Sequence, residues 1–167
     1  DKDTPIGNWR GQGEANSAVS VVEGVRNAVG PGVKITYAKG ADLGIGERTF
    51  LLPLGINTTD RSGFAEAIEV ARKAEVVLMV LGEDAFQSGE GRSQVEIGFA
   101  GLQQELLEEV YKVNKNIVLV LMNGRPMDIS WAAENLPGIL VTWQLGSESG
   151  NAIADVLFGK YNPSGKL

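Results

Sequence analysis

Residues 75–82 read EVVLMVLG, and this apolar run decides the fold class. It shows no alternation of polar and apolar residues, which is typical of a strand buried on both faces of a parallel sheet. Two later runs have the same character: NIVLVLMNG at 116–124 and GILVTWQLG at 138–146. The sequence therefore predicts three buried parallel strands in the second half of the chain.

Helical patterns separate these runs. SGFAEAIEVARKA at 62–74 and AGLQQELLEEVYKVN at 100–114 repeat apolar residues at helical spacing. SWAAENL predicts a short helix capped by Ser130, and ESGNAIADVLFG predicts a last helix that Gly159 ends. Strands joined by helical crossovers predict an α/β fold, a mostly parallel sheet sandwiched between helices, in a single domain over 1–167.

The first third of the chain is less regular. Residues 1–16 are rich in Gly and Asp and predict a loop, after which Asn16 or Ser17 can cap a helix that runs to Val29. VKITYA at 33–38 is rich in β-branched residues and predicts a strand. Residues 39–61 have no clear period and predict a long excursion over the surface.

Composition and charge exclude several classes of function. The 167 residues are 43% hydrophobic and 22% charged, as in a globular protein, and their net charge of −6 argues against nucleic-acid or anionic-membrane partners. The chain has no Cys and no His. Disulfides, thiol nucleophiles, Ser-His-Asp triads and histidine metal sites are therefore excluded, and acid-base chemistry must use carboxylates, lysines or tyrosines.

The loop after the first apolar run is the candidate functional segment. It reads EDAFQSGEGRSQ over 83–94, at the carboxyl end of a strand, where ligands bind in open α/β sheets. Glu90 lies between Gly89 and Gly91, and flanking glycines allow the backbone to approach a ligand closely. Glu90 could serve as a general acid. From the residues alone, a solvated glutamate on a flexible loop is the favoured interpretation.

A family resemblance shifts that balance. The runs GEDAFQSGEGRSQVEIG, NIVLVLMNGRPMDISWAAENLPGIL and GNAIADVLFGKYNPSGKL closely resemble the C-terminal α/β sandwich domain of glycoside hydrolase family 3, which includes β-glucosidases and β-xylosidases. The resemblance covers nearly the whole chain except residues 43–61 of the middle excursion. It implies a retaining glycosidase in which an N-terminal barrel domain, absent from this chain, supplies the aspartate nucleophile and most sugar contacts.

The resemblance also implies roles for individual residues. Glu90 matches the general acid/base, Glu83 is implied to orient its loop, and Phe86, Ser88 and Arg92 are implied to contact the substrate. Gln94 stands where relatives often carry an arginine, and Arg92 comes two positions earlier. This departure leaves open whether Arg92 or Gln94 makes a specific sugar contact.

The implied partners are a β-linked glucoside or oligosaccharide and the barrel domain, without nucleic acid, membrane, metal or cofactor. The implied compartment is the periplasm or the exterior of the cell, and the isolated fragment is expected to be inactive. The alternative hypothesis is a non-catalytic carbohydrate- or protein-binding α/β module.

Further expectations concern the ends of the chain, the loop and the aromatic residues. The chain is expected to lack a preceding strand, which would leave an exposed sheet edge with apolar surface, and to begin another element at Leu167. Residues 84–96 are expected to be mobile in the isolated chain. Trp131 and Trp143 are expected in the core, whereas Trp9 and Phe86 could either pack or edge a sugar site.

Overall fold

A computed structural model of the chain describes residues 1–165. Three parallel strands, Val77–Gly82, Ile117–Met122 and Gly138–Val141, form one sheet in that order, with Val77 beside Ile117 and Leu121 beside Val141. The α/β prediction is confirmed. The strands are β1 Gly44–Ile45, β2 Gly55–Ile56, β3 Val77–Gly82, β4 Ile117–Met122 and β5 Gly138–Val141; the helices are α1 Val21–Val29, α2 Phe64–Lys73, α3 Gln103–Val113, α4 Ser130–Asn135 and α5 Ser149–Leu157.

The sheet separates two apolar clusters. On one face, Met79, Leu119 and Leu121 pack with buried residues of α2, α3 and α4. On the other face, Val120 and Met122 pack with residues of α1 and α5. Successive residues of one strand point to opposite faces, so a strand covered on both sides must be apolar throughout, as these runs are.

Helices α1 and α5 cross at a contact between glycines. A Cβ atom added to Gly24 would overlap the backbone carbonyl of Gly150, and one added to Gly150 would overlap the carbonyl of Ser20. The two helices can approach this closely because neither has a side chain at the crossing point. This contact brings α1 and α5 together on the face of the sheet that Val120 and Met122 line.

The prediction of a cap at Asn16 or Ser17 is wrong, because α1 begins later. The Val19 N–H donates to Ser147 and its carbonyl accepts from Gly150, so this part of the backbone is already bound in an extended form. Ser20 is the cap instead, in a capping box with Glu23. Hydrogen bonds from Lys2 and Ser20 lower the pKa of Glu23 to about 2, so this cap is lost only as the pH falls through that value.

The prediction of a strand at 33–38 is also wrong. A strand needs a hydrogen-bonded neighbour, and among residues 1–165 no segment pairs with this one. Val33 and Tyr37 are exposed, and Ile35 packs beside the α1–α5 cluster. Conversely, the excursion at 39–61 contains β1 and β2, a short antiparallel pair that the sequence did not indicate.

Two smaller expectations at the later helices and strands are corrected. Helix α4 begins with Ser130 rather than being capped by it, and the Asp128 carboxylate accepts the Ser130 N–H at 3.0 Å. Trp143 is 43% exposed rather than buried, because β5 ends at Val141 and a φ of +53° turns Trp143 away from the sheet. Trp131 is half-buried beside the α2–α4 cluster, with its ring edge-on to Tyr111.

Other expectations about the termini have mixed outcomes. Gly159 ends α5 as predicted, with Gly159 and Lys160 N–H groups donating back to Val156 and Asp155. Strand β3 lies at an edge of the described sheet, and its Val80 is 41% exposed, as expected. Pairing of another strand with this edge stays a prediction, and the element expected at Leu167 lies outside the described residues.

The glycine crossing predicts a large cost for one added methyl group. Gly24→Ala should lower the free energy of unfolding by about 3 kcal/mol, because the new Cβ overlaps a backbone atom and the helices must separate. Gly32→Ala is the matched control, since a Cβ there meets no atom within 4 Å. Urea unfolding of the purified domain measures both, and equal effects of the two substitutions would contradict the contact.

Candidate active-site loop

The site begins where β3 ends, at Glu83. The Glu83 N–H donates to the Met122 carbonyl at 2.8 Å, which extends the pairing with β4 by one residue. The side chain is buried, and its carboxylate accepts the Gly124 N–H at 3.0 Å and pairs with Arg125 at 2.7 Å. The Arg125 Nε–H is not aligned for a hydrogen bond, so the contact is an ion pair. Glu83 therefore joins the loops that follow β3 and β4.

Arg125 extends this connection to both sides of the candidate turn. Its Nη1 donates to the Arg92 carbonyl at 2.9 Å, and its Nη2 donates to the Gln87 carbonyl. The side chain is only 20% exposed. A charge-assisted donor of this kind is stronger than a neutral one, and its planar shape fixes the direction of each bond. One guanidinium, held by Glu83, thus fixes the backbone before and after Glu90.

Ser88 is the buried residue that directly precedes the turn around Glu90. Its carbonyl accepts from Asn8 Nδ2 at 3.0 Å, and its Oγ accepts from Gln144 Nε2 at 3.3 Å. A Cβ atom on Gly124 would overlap the Ser88 Oγ, so this position requires glycine. The predicted sugar contact of Ser88 stays a prediction; in the structure its polar atoms contact protein groups.

Glu90 lies at the tip of a tight turn. The Arg92 N–H donates to the Gly89 carbonyl at 3.2 Å, and the φ values of Gly89 and Gly91 are +111° and +70°. Such values favour glycine, so the two glycines are needed to make the turn. Glu90 is exposed, and it makes no hydrogen bond or ion pair with other residues in the described part of the chain. Its carboxyl group is therefore open to a ligand.

Aromatic residues lie around this turn. Trp9 is 67% exposed and packs edge-on against Phe50, with ring centroids 5.4 Å apart. The side chain of Asn8 donates to the Ser88 carbonyl, and Trp9 is the next residue. The Trp9–Phe50 pair therefore lies on the Ser88 side of the site. Phe86, on the 3₁₀ turn Ala85–Gln87, is half-buried. Aromatic faces of this kind can stack on sugar rings.

Arg48 is a site residue that sequence reasoning missed. Its Nη2 lies 2.8 Å from the carboxylate of Asp84, which is buried and which also accepts the Phe86 N–H at 3.0 Å. The Arg48 guanidinium also contacts Asp1 at 3.1 Å. Nothing in the unpatterned excursion distinguished Arg48 from a solvated arginine, because its partners are more than 30 positions away.

Asp128 closes the far end of the loop. Its N–H donates to the Ile97 carbonyl at 3.0 Å. Hydrogen bonds from the hydroxyl and N–H of Ser130 hold the pKa of its carboxyl below the usual range. Asp128 is therefore ionised at neutral pH, and its carboxylate accepts the first N–H of α4.

Other kinds of site were sought among residues 1–165. No group of three or more His, Cys, Asp or Glu side chains is placed to hold a metal ion there. No helix in this range is long and apolar enough to cross a membrane.

Comparison with known proteins identifies the family. Residues 1–167 match the family described as "Glycosyl hydrolase family 3 C-terminal domain". The chain belongs to this family. The resemblance stated from the sequence is confirmed, and it extends across the excursion at 39–61.

The relatives of this family 3 domain are glycoside hydrolases. It is 44% identical to a periplasmic β-glucosidase of Salmonella typhimurium over 97% of this chain and 22% of that protein. It is 41% identical to a β-xylosidase of Formosa agariphila over 89% of this chain and 19% of that protein. The chain therefore spans about a fifth of the length of these relatives.

Solved structures share the fold. The family 3 β-glucosidase of Bifidobacterium adolescentis superposes with a TM-score of 0.74 at 38% identity, over 90% of this chain and 20% of that chain. A β-glucosidase of Listeria innocua in complex with isofagomine superposes with a TM-score of 0.82 at 26% identity, over all of this chain and 21% of that one.

The Glu83–Arg125 pair predicts that removing the largely buried Arg125 lowers the free energy of unfolding much more than removing an exposed arginine. Arg125→Ala should cost about 3 kcal/mol of unfolding free energy, because Glu83 would remain buried without its partner. Arg72→Ala is the control, since Arg72 and Glu69 form an exposed pair worth at most about 0.5 kcal/mol. Urea denaturation of the domain measures both, and a small loss for Arg125→Ala would show that the pair does not hold the site.

Proposed function

We propose that this domain supplies the general acid/base of a retaining β-glycosidase, and that Glu90 is the catalytic residue. The observation that carries the proposal is the placement of one exposed carboxyl group on a turn whose flanking backbone is held by Arg125. An exposed glutamate without such support would have no defined position. Here the Gln87 and Arg92 carbonyls are both fixed, so the backbone that carries Glu90 has a defined position.

Retaining hydrolysis needs two carboxyl groups about 5–5.5 Å apart, one on each side of the scissile bond. Glu90 projects away from the domain, so we infer that the nucleophile comes from another part of a longer polypeptide. The relatives, which are about five times the length of this chain, support that inference. In this arrangement the isolated domain has no activity of its own.

Glu90 would act twice in the reaction. Its protonated carboxyl would first give a proton to the glycosidic oxygen as the bond to the sugar breaks and the nucleophile attacks. The resulting carboxylate would then take a proton from water as that water breaks the glycosyl-enzyme intermediate. Enclosure of the turn by the other domain, together with a nearby negative nucleophile, would favour the protonated carboxyl that the first step requires.

The proposed substrate is a β-linked glucoside or xyloside, since the relatives are named β-glucosidase and β-xylosidase. Trp9 and Phe50 are proposed to form an aromatic wall beside the bound sugar, with Phe86 behind the turn. The proposed compartment is the periplasm or the exterior of the cell, supported by the periplasmic relative. Glu83 is proposed to orient the turn through Arg125.

The test is Glu90→Gln in the full-length enzyme. The amide preserves the shape but cannot donate or accept the proton, so kcat/KM for a phenyl β-glycoside should fall by about 10²- to 10⁴-fold. A 2,4-dinitrophenyl glycoside needs no acid for departure of its leaving group, and should lose far less in kcat/KM. Azide should restore turnover with this activated substrate by attacking the intermediate without a general base.

Glu96→Gln is the matched control, because Glu96 is another exposed glutamate on the same loop. It should leave turnover on both substrates within about twofold, as expected for a surface substitution away from the reacting groups. Equal activity of the Glu90→Gln variant and the wild type on the phenyl glycoside would refute the proposal. A wild-type protein that binds the sugar without cleaving it would favour the binding-module hypothesis.

A further inference from the structure

The side chain of Arg92 contacts two separate segments of backbone. Its Nε donates to the Phe86 carbonyl at 3.1 Å, within the segment that carries Glu90. Its Nη2 donates to carbonyls of the excursion, to Leu52 at 3.1 Å and to Phe50 and Thr49. The guanidinium therefore bridges chain positions that are about 40 residues apart in sequence.

The excursion residues that Arg92 binds form a defined loop. Strands β1 and β2 pair with each other, and residues 46–54 connect them; we call these nine residues the hairpin loop. Phe50, Leu51 and Leu52 are 44%, 84% and 62% exposed, so little apolar packing holds this loop in place. Apart from the edge-on contact between Phe50 and Trp9, the loop is therefore held mainly by polar contacts.

Arg48 provides a second contact in the opposite direction. It reaches from the hairpin loop to the buried Asp84, at the start of the segment that leads to Glu90. Arg92 reaches from the end of the same segment back to the hairpin loop. The two arginines enclose the segment between them, and the Arg92 contacts are nearest in sequence to Glu90.

The chemistry of these contacts suits a positioning role rather than a sugar contact. A guanidinium has five N–H donors in a rigid plane, and Arg92 uses Nε, Nη1 and Nη2 on backbone carbonyls. A lysine has one nitrogen and could satisfy only part of the set. These hydrogen bonds give the carbonyls of the hairpin loop a donor in a fixed position, and they hold the Arg92 side chain in one rotamer.

We propose that Arg92 is a positioning residue that couples the hairpin loop to the Glu90 turn. It sets the position of the Glu90 carboxyl relative to Phe50 and Trp9, so the acid and the aromatic wall move as one unit. The kinetic consequence rests on the function proposed above for Glu90. The mechanical coupling does not, and it is tested separately.

The kinetic test uses Arg92→Ala and Arg92→Lys in the full-length enzyme, with aryl β-glycosides whose leaving groups range from phenol to 2,4-dinitrophenol. A displaced acid should cost about 10- to 100-fold in kcat/KM with phenol and less than about threefold with 2,4-dinitrophenol. Arg92→Lys should fall between the wild type and Arg92→Ala. Arg72→Ala, on the surface of α2, should match the wild type throughout.

A uniform loss of activity across all leaving groups would overturn the positioning role, because a smaller fraction of folded enzyme lowers every rate equally. A loss confined to KM would also overturn it, and would assign Arg92 to sugar binding. A dependence on leaving-group pKa that is steeper than in the wild type would support it.

Hydrogen exchange of the full-length protein tests the coupling without reference to activity. In Arg92→Ala, amide exchange should increase in residues 46–54 and 89–92 together, and should stay unchanged in α5. No increase in residues 46–54 would overturn the coupling, even if Glu90→Gln had already supported the catalytic role. An increase in both segments would support the coupling, even if Glu90→Gln had no effect on turnover.

Discussion

The buried ion pair between Glu83 and Arg125 is the interaction on which the rest of the site depends. Burying two charges is costly, and the cost is offset only when each charge also meets hydrogen-bonding partners. Glu83 meets the Gly124 N–H, and Arg125 meets two carbonyls of the loop after β3. The hydrogen bonds that satisfy these two charges therefore also hold the Glu90 turn at the carboxyl edge of the sheet.

The sheet provides the rigid base for that pair. Strands β3 and β4 are paired in register over six positions, so the residues that follow them, Glu83 and Asn123, emerge side by side. Gly124 allows the close approach of Ser88, whose Oγ also accepts a hydrogen bond from Gln144 Nε2. The Glu90 carboxyl group, on a turn that contains two glycines, is thus supported by contacts that have little conformational freedom.

Under the function proposed for Glu90, this arrangement would allow the domain to contribute one catalytic group to a site completed elsewhere. The turn presents one carboxyl group outward, and a second carboxyl group would come from a facing surface. Trp9, Phe50 and Leu51 expose apolar surface next to that turn, which is costly in an isolated domain and reasonable where another surface or a sugar covers it. Arg92 and Arg48 tie this apolar rim to the turn, so both would meet the partner in one relative position.

The sequence by itself determined the α/β class, the positions of the three buried strands along the chain and the helices between them, because local periodicity and apolar runs record which faces are buried. It also indicated Glu90 as a candidate, and the family resemblance supplied its role. The tertiary structure decided the pairing of segments and the long-range contacts, which a local sequence pattern does not record. The segment at 33–38 has strand propensity but pairs with no other segment of residues 1–165, and Trp143 is apolar but turned outward by its backbone. Arg48 looks like an ordinary surface arginine in the sequence, and only long-range contacts show which carbonyls and carboxylates Arg48, Arg92 and Arg125 hold.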